Sequence, residues 1–307
     1  MLKSLINKFY KIVTLFYDPL VTVSIGSCKI KAPLSHPLKR ILEAIPQFGF
    51  NVTRLVQYSH EQYPDLKIID IGANIGDTAA FVNNYRDLPV LCIDGDPRYF
   101  ALLKSNVAGF KQTVCCLTLV GEKDEEKNQT LVRDKGTAFL KENENPVKFR
   151  SLENILDEFS DFKTARFLKI DTDGYDASIL KGSETYIRAQ RPVLFFEYDP
   201  GLIQKQHEDP FGIFDFLQQC GYEFVLVYQN VGDYLISLQL SSDKDKIADL
   251  VNYYMGRNTS LYADLCVFHA QDAALFKKAR KNEQAYFAGF RKFRLEGQPG
   301  PVIPQTR

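Results

Sequence analysis

The chain opens on MLKSLINKFYKIVTLFYDP, in which Leu2, Leu5, Ile6, Phe9, Val13 and Phe16 recur at helical spacing. Lys3, Lys8 and Lys11 lie away from the centre of that stripe, so the spacing predicts an amphipathic helix over residues 1–18. LVTVSIGSCKIKAP then alternates around Gly26 and predicts a short β-hairpin. Two helical stretches, 37–45 and 50–62, are separated by Pro46 and Gly49 and closed by Pro64. From residue 66 the pattern changes to short apolar runs, each followed by a helical one. LKIIDIG (66–72), PVLCID (89–94), TVCCLTLV (113–120), ARFLKID (165–171) and RPVLFFEYD (191–199) read as buried strands. The stretch 121–150, beginning GEKDEEKNQ, is polar and predicts a solvated loop with a weak hairpin.

This alternation predicts an α/β fold with an open, mostly parallel sheet and helices on both faces. YEFVLVYQNVGDYLISLQL adds two strands around an Asn-Val-Gly-Asp turn, an antiparallel hairpin at one edge. Residues 244–255 read as a helix, SLYADLCVF as a late strand, and the tail from Glu296 as frayed. Three regions follow: an N-terminal helix, hairpin and helical cap (1–65), an α/β domain (66–270), and a basic C-terminal helix and tail (271–307).

Composition narrows the class. Apolar residues make up 45% and charged residues 25% of 307, with 38 basic against 38 acidic side chains. That balance excludes a disordered chain and a generally basic nucleic-acid binder. The zero net charge is nevertheless uneven: residues 1–60 carry +6 and residues 271–307 carry +5, leaving −11 between them. The six cysteines show no CxxC spacing and read as reduced core thiols of a cytoplasmic protein. The four histidines (36, 60, 207, 269) show no metal-ligand spacing. No apolar run reaches the length of a spanning helix. Residues 1–18 therefore either pack on protein, in their own domain or against a dimer mate, or lie on the inner face of a membrane.

In parallel sheets of this kind ligands bind beyond the carboxyl ends of the strands. The first strand ends in Asp70-Ile71-Gly72-Ala73-Asn74-Ile75-Gly76-Asp77-Thr78, a glycine turn leading into a helix. Asp94 closes the second strand, where a carboxylate can accept both hydroxyls of an adenosine ribose. A dinucleotide site would need glycines at 74 and 77, which hold Asn74 and Asp77. Asp77 also occupies the helix N-terminus where a pyrophosphate would bind, a repulsion of about 1–4 kcal/mol. S-adenosylmethionine carries no phosphate, but an ammonium and a sulfonium, and suits an acidic turn. Further on, Asp171, Asp173 and Asp176 cluster after the fourth strand, and Glu197 and Asp199 after the fifth. Capping of the following helix by Asp171 or Asp173 is the structural reading of that cluster. The functional readings are a general base, a grip on substrate or cofactor, or a divalent metal held by Asp171, Asp173 and Glu197.

IIDIGANIGDTAAF, CIDGDP, SLENIL, RFLKIDTDGYDASILKG and VLFFEYDP resemble, in order and spacing, the FkbM-type S-adenosylmethionine-dependent methyltransferases over residues 66–200. The resemblance implies a class I methyltransferase (Rossmann-like) fold of seven strands with an antiparallel edge hairpin. It implies O-methylation of a sugar, glycan intermediate or similar hydroxylated product, as in polysaccharide biosynthesis. By motif match, Asp70, Gly72, Asn74 and Gly76 would hold the methionine part, with Asp77 and Thr78 beside them, and Asp94 the ribose. Val120 and Gly121 would lie near the adenine, and Asp171 nearest the reacting centre. The chain departs from the family pattern at Asp173-Gly174-Tyr175-Asp176, where Glu usually closes the motif, at Gly95, and at Glu153.

The base candidates are Asp171 or Asp173, then Glu197, with His207 in the QKQHEDP segment as an alternative; His36 in the Ser-His-Pro turn is a candidate substrate contact. Two rival classes remain. Asp94-Gly95-Asp96 and Asp171-Thr172-Asp173 match the D-x-D of metal-dependent glycosyltransferases but leave the glycine turn unexplained. The other is a non-catalytic protein that keeps the fold. The basic flanks favour an anionic partner, either a phosphate-linked glycan or the membrane carrying it.

Overall fold

The computed structural model describes residue 14 and residues 17–134, 136–172, 174–206, 208–256 and 261–296. The amphipathic segment 1–18, apart from residues 14, 17 and 18, lies outside the described residues, as do Asp173 and His207.

The alternating stretch near Gly26 forms the expected hairpin, β1 (Leu20–Ile25) and β2 (Cys28–Pro33), paired antiparallel. Helices α1 (Leu38–Ala44) and α2 (Phe50–Gln62) follow. The five apolar runs become β3 (Ile68–Ile71), β4 (Val90–Asp94), β5 (Thr113–Leu117), β9 (Phe167–Ile170) and β10 (Val193–Tyr198), mutually parallel. The third run breaks before its end, and Leu119–Val120 leaves the sheet as β6. At the other side, β11 (Tyr222–Gln229) and β12 (Tyr234–Gln239) form the edge hairpin. The late strand β13 (Ala263–His269) inserts antiparallel between β10 and β11. The order is β12-β11-β13-β10-β9-β3-β4-β5, the class I methyltransferase arrangement with β12 as an eighth strand.

Side-chain alternation divides the core in two. Ile69, Ile71, Leu91, Ile93, Leu168, Ile170, Leu194 and Phe196 face α5 (Leu152–Glu158), α6 (Asp176–Gly182), α7 (Glu184–Gln190), α8 (Pro200–Lys205), α9 (Gly212–Gln219) and α10 (Lys244–Met255). Ile68, Val90, Cys92, Phe167, Val193 and Phe195 face α2, α3 (Asp77–Tyr85), α4 (Pro97–Asn106) and α11 (Ala273–Glu296). On this second face the apolar rows end at Asp70, Asp94, Lys169 and Glu197, so the core gives way to charge at the carboxyl edge.

Three elements differ from the sequence expectation. The polar stretch forms a ribbon rather than a loop: β7 (Glu125–Asp134) and β8 (Thr137–Arg150) pair antiparallel, and β6 joins β8 in parallel. Glu125, Lys127 and Gln129 alternate half-buried with exposed Glu126 and Asn128, but these positions are polar, so the strand shows no apolar period-2 signal, and the register shifts between Asn128 and Gln129. SILKGSETYIRAQ is two helices rather than one, broken at Ser183. A Cβ on Gly182 would lie 2.3 Å from the Glu122 carbonyl oxygen, so the break is where the chain touches the ribbon's root. Gln204 and Lys205 of the QKQ segment, which reads as part of a loop, close helix α8, with Gln206 as its C-cap; Asp199 caps the other end by accepting from the Gly201 and Leu202 amides.

The basic C-terminal helix is not peripheral. Arg54 of α2 donates from Nε and Nη2 to Glu283 of α11 at 2.7 and 2.8 Å, and both side chains are buried. Tyr58 donates to the same carboxylate at 3.1 Å, and the Arg54 guanidinium lies 4.0 Å from the Tyr286 ring centre. All six cysteines are free thiols. No helix among the described residues is long and apolar enough to cross a membrane. Removing one partner leaves a buried charge without compensation. Glu283→Ala should therefore lower stability in urea unfolding by about 3–5 kcal/mol, and Arg54→Met/Glu283→Leu by much less.

Candidate active site

The glycine turn begins where β3 ends, and its geometry follows from one close approach. Gly72 has φ 80°, and a Cβ there would lie 1.8 Å from the Asp171 carbonyl oxygen. Only glycine lets the ends of β3 and β9 meet so tightly. The Gly72 and Ala73 amides donate to the Ile93 carbonyl, binding the turn to β4. Asn74 is left-handed at φ 48°, an uncommon conformation for a residue with a side chain. Gly76, at φ 86°, packs against Leu103 and Val107 and leads into α3, which starts with half-buried Asp77 and buried Thr78.

A cleft of about 660 Å³, open to solvent, lies beyond this turn. Gly72, Asn74, Asp94, Val120 and Asp171 line it, joined by Gly95, Tyr99, Thr118, Leu119, Leu131, Phe149 and Tyr175. Of the expected cofactor residues, Asp70, Gly76, Asp77, Thr78 and Gly121 stand behind its surface. Gly121 donates to the Arg150 carbonyl and allows Phe149 to close in, since a Cβ would sit 3.1 Å from that side chain. The Asn74 side-chain amide donates to the Gly136 carbonyl at 2.8 Å, and its backbone N–H donates to Asp94 Oδ2 at 2.7 Å.

Asp94 is buried, and its Oδ1 accepts from the Asp96 amide at 2.8 Å. Burial pushes its carboxyl up to about 7, against the downward pull of the two amides. Asp96 caps α4 through the Arg98 and Tyr99 amides and forms a two-pronged pair with Arg133 of β7. Both oxygens of Asp96 are thus occupied, which removes Asp94-Gly95-Asp96 as a metal-holding D-x-D.

The second acidic group forms around Lys169. Its ammonium lies 3.2 Å from Asp70 Oδ1 and 3.2 Å from Asp171 Oδ2, and the side chain is 6% exposed. Burial alone would depress this lysine, but Asp171, Asp70 and Asp77 hold it above its ordinary range. Asp70 is fully buried, and burial pushes it up to about 6 despite the lysine. Half of the Asp171 side chain is exposed into the cleft.

Capping falls to neither Asp171 nor any described neighbour of that expectation. Asp176 instead ties the turn together, accepting from Thr172 N, Thr172 Oγ1 and Gly174 N, and burial with the nearby Asp171 charge raises its pKa. Buried Glu197, the last residue but one of β10, stands in register with Asp264 of β13. Burial, then Asp171, raise Asp264 well above the carboxylate range. Among the described residues no group of three or more His, Cys, Asp or Glu is placed to hold a metal ion.

The sequence reading missed Arg133, Leu131 and Phe149, because the ribbon carrying them reads as a polar loop. It also missed Asp264, for which a signal existed: a carboxylate inside the apolar strand YADLCVF.

The family model described as "Methyltransferase FkbM domain" matches residues 70–224, half of the chain, and contains the turn, Asp94 and Asp171. The chain belongs to the FkbM methyltransferase family. Among solved structures it is similar to methyltransferase FkbM from Methylobacillus flagellatus, at 18% identity and a TM-score of 0.36. That match covers 52% of this chain and 39% of that one, so the chain spans well under half the length of that relative. It is also similar to a TehB-like SAM-dependent methyltransferase from Corynebacterium glutamicum (14% identity, TM-score 0.37, 75% and 92% of the two chains). A third is the precorrin-6y C5,15-methyltransferase from Geobacter metallireducens (11% identity, TM-score 0.37, 67% and 80%). No curated protein matches the chain.

The FkbM turn tolerates no side chain at its first glycine. Gly72→Ala should cost about 2–4 kcal/mol in a denaturant titration, from the left-handed backbone and the Asp171 contact together.

Proposed function

We propose that the chain is an S-adenosylmethionine-dependent O-methyltransferase acting on a hydroxyl of a sugar or glycan intermediate. The observation that carries this reading is the pairing in one cleft of Asp94, beside the glycine turn, with an apolar slot of Leu119, Val120, Leu131 and Phe149. A carboxylate at that place accepts ribose hydroxyls, and the slot suits a flat base. Asp70, buried and paired only through Oδ1 with Lys169, and Asp77 make the methionine side acidic, as an ammonium and a sulfonium require.

When bound, adenosylmethionine supplies the electrophilic methyl of its sulfonium. The chain's part is to hold the acceptor oxygen in line with that methyl, near 3 Å, and to take its proton. Asp171 suits the proton-accepting role: it lines the cleft, is half exposed, and is held by Lys169 through one oxygen. Glu197 is the second candidate. Asp176 and Asp199 are occupied by the backbone contacts described above. A metal-assisted variant through Asp171, Asp173 and Glu197 is distinguished by its loss in EDTA.

The electrostatics fix a sign for pH dependence. Burial raises Asp94 to about 7 and Asp70 to about 6, so without a ligand both carboxyls take up protons as the pH falls through that range. A cationic ligand with donating hydroxyls favours their ionised forms, so binding releases protons and tightens as pH rises from 5.5 to 7.5. Calorimetric titration of adenosylmethionine in buffers of different ionisation enthalpy measures that release; pH-independent affinity speaks against the assignment. Asp171→Asn should abolish methyl transfer to cell-extract glycans, read by labelled methyl donor and mass spectrometry, with cofactor affinity nearly unchanged. Full turnover in that variant would remove Asp171 as the base.

A further inference from the structure

We infer that His36 is a positioning residue for the cofactor turn, acting through the side-chain amide of Asn74; this rests on the adenosyl reading of the cleft. The direction of the contacts follows from the two ends of the chain they form. The Gly136 carbonyl can only accept, so the Asn74 atom 2.8 Å from it is the donor Nδ2. The other end of the amide, Oδ1, faces His36 Nε2 at 3.4 Å and requires an N–H there. The Leu38 backbone amide can only donate, and it lies 3.3 Å from His36 Nδ1, which therefore carries no proton. Both ends demand the same neutral tautomer, with its hydrogen on Nε2.

Asn74 thereby joins three segments far apart in sequence. Its backbone N–H reaches the Asp94 carboxylate, its amide reaches the ribbon tip, and His36 holds that amide in orientation. The tip sits directly on the Ser-His-Pro turn: a Cβ on Gly136 would lie 2.3 Å from Pro37 Cδ and 2.9 Å from His36 Cδ2. His36 itself is 7% exposed, stands edge-on to Tyr99, and is not among the residues lining the cleft. It is therefore not the substrate contact that its sequence setting suggests. Burial holds its pKa down at about 4, so the required tautomer persists at neutral pH, opposed by the Asp18 carboxylate that anchors Ser35. Without the His36 donor, Asn74 Oδ1 loses its partner. The amide can then rotate away from Gly136 and release the left-handed backbone that presents its N–H to Asp94.

The test uses the full chain, calorimetric titration with S-adenosylhomocysteine, and hydrogen exchange of peptides covering residues 131–138. His36→Phe keeps the ring and removes both nitrogens; affinity should weaken about 3- to 15-fold and the ribbon tip should exchange faster. His36→Gln keeps an N–H near the Nε2 position and should restore both readouts to within about twofold. Asn74→Gly keeps the left-handed backbone without the amide, and adding His36→Phe to it should cause no further loss. Wild-type affinity and exchange in His36→Phe, no rescue by His36→Gln, or additive losses in the double variant would each overturn the inference. Should His36→Phe not fold, Asn74→Gly with wild-type affinity overturns it. If the wild-type chain binds no S-adenosylhomocysteine, the adenosyl reading fails, and exchange at the ribbon tip alone decides the role of His36.

Discussion

The buried ammonium of Lys169 makes the carboxyl edge of the sheet workable. Asp70, Asp77, Asp171, Asp176 and Asp264 crowd that edge, and mutual repulsion with loss of water works against their ionised forms. Lys169, in register with Asp70 across β3 and β9, neutralises part of this charge from inside. It also holds one oxygen of Asp171, fixing which way the exposed half of that side chain faces. The remaining excess of acid is what makes the cleft attractive to a cation.

Around this edge the chain builds a cleft from parts with different origins. The parallel strands supply the turn, Asp94 and Asp171, as the topology requires of any sheet of this kind. The ribbon β7–β8 supplies Leu131 and Phe149 and is fastened through Arg133 to Asp96, through Gln129 to Tyr175 and through Gly136 to Asn74. The turn between β2 and α1 places His36 behind Asn74, and α2 with α11 lock the far face through Arg54 and Glu283. Among the described residues, the hairpin, α2 and α11 outside the FkbM domain therefore pack against it.

Local patterns made much of this readable in advance. The five parallel strands are apolar runs long enough to be unambiguous between glycine and proline punctuation, and their acidic ends mark the edge where ligands bind. Gly72 and Gly76 were legible because a turn that tight excludes side chains whatever surrounds it. The ribbon was not legible: it is solvated on much of its surface, and its alternating half-buried positions at Glu125, Lys127 and Gln129 are polar. Helix α8 was hidden because its cap, Asp199, looks the same as a catalytic carboxylate in sequence.

By itself, then, the sequence determined the strand succession, the acidic glycine turn and the inventory of carboxylates, since these follow from residue type and spacing along the chain. Only the tertiary structure decided what each carboxylate does. Asp96, Asp176 and Asp199 are taken up by backbone amides, Asp70 is buried on a lysine, and Asp171 faces the cleft. His36 becomes a support for Asn74 rather than a substrate contact. The reason is physical: a polar side chain's role depends on which partners remain within hydrogen-bond reach after burial, and those partners come from segments tens of residues away.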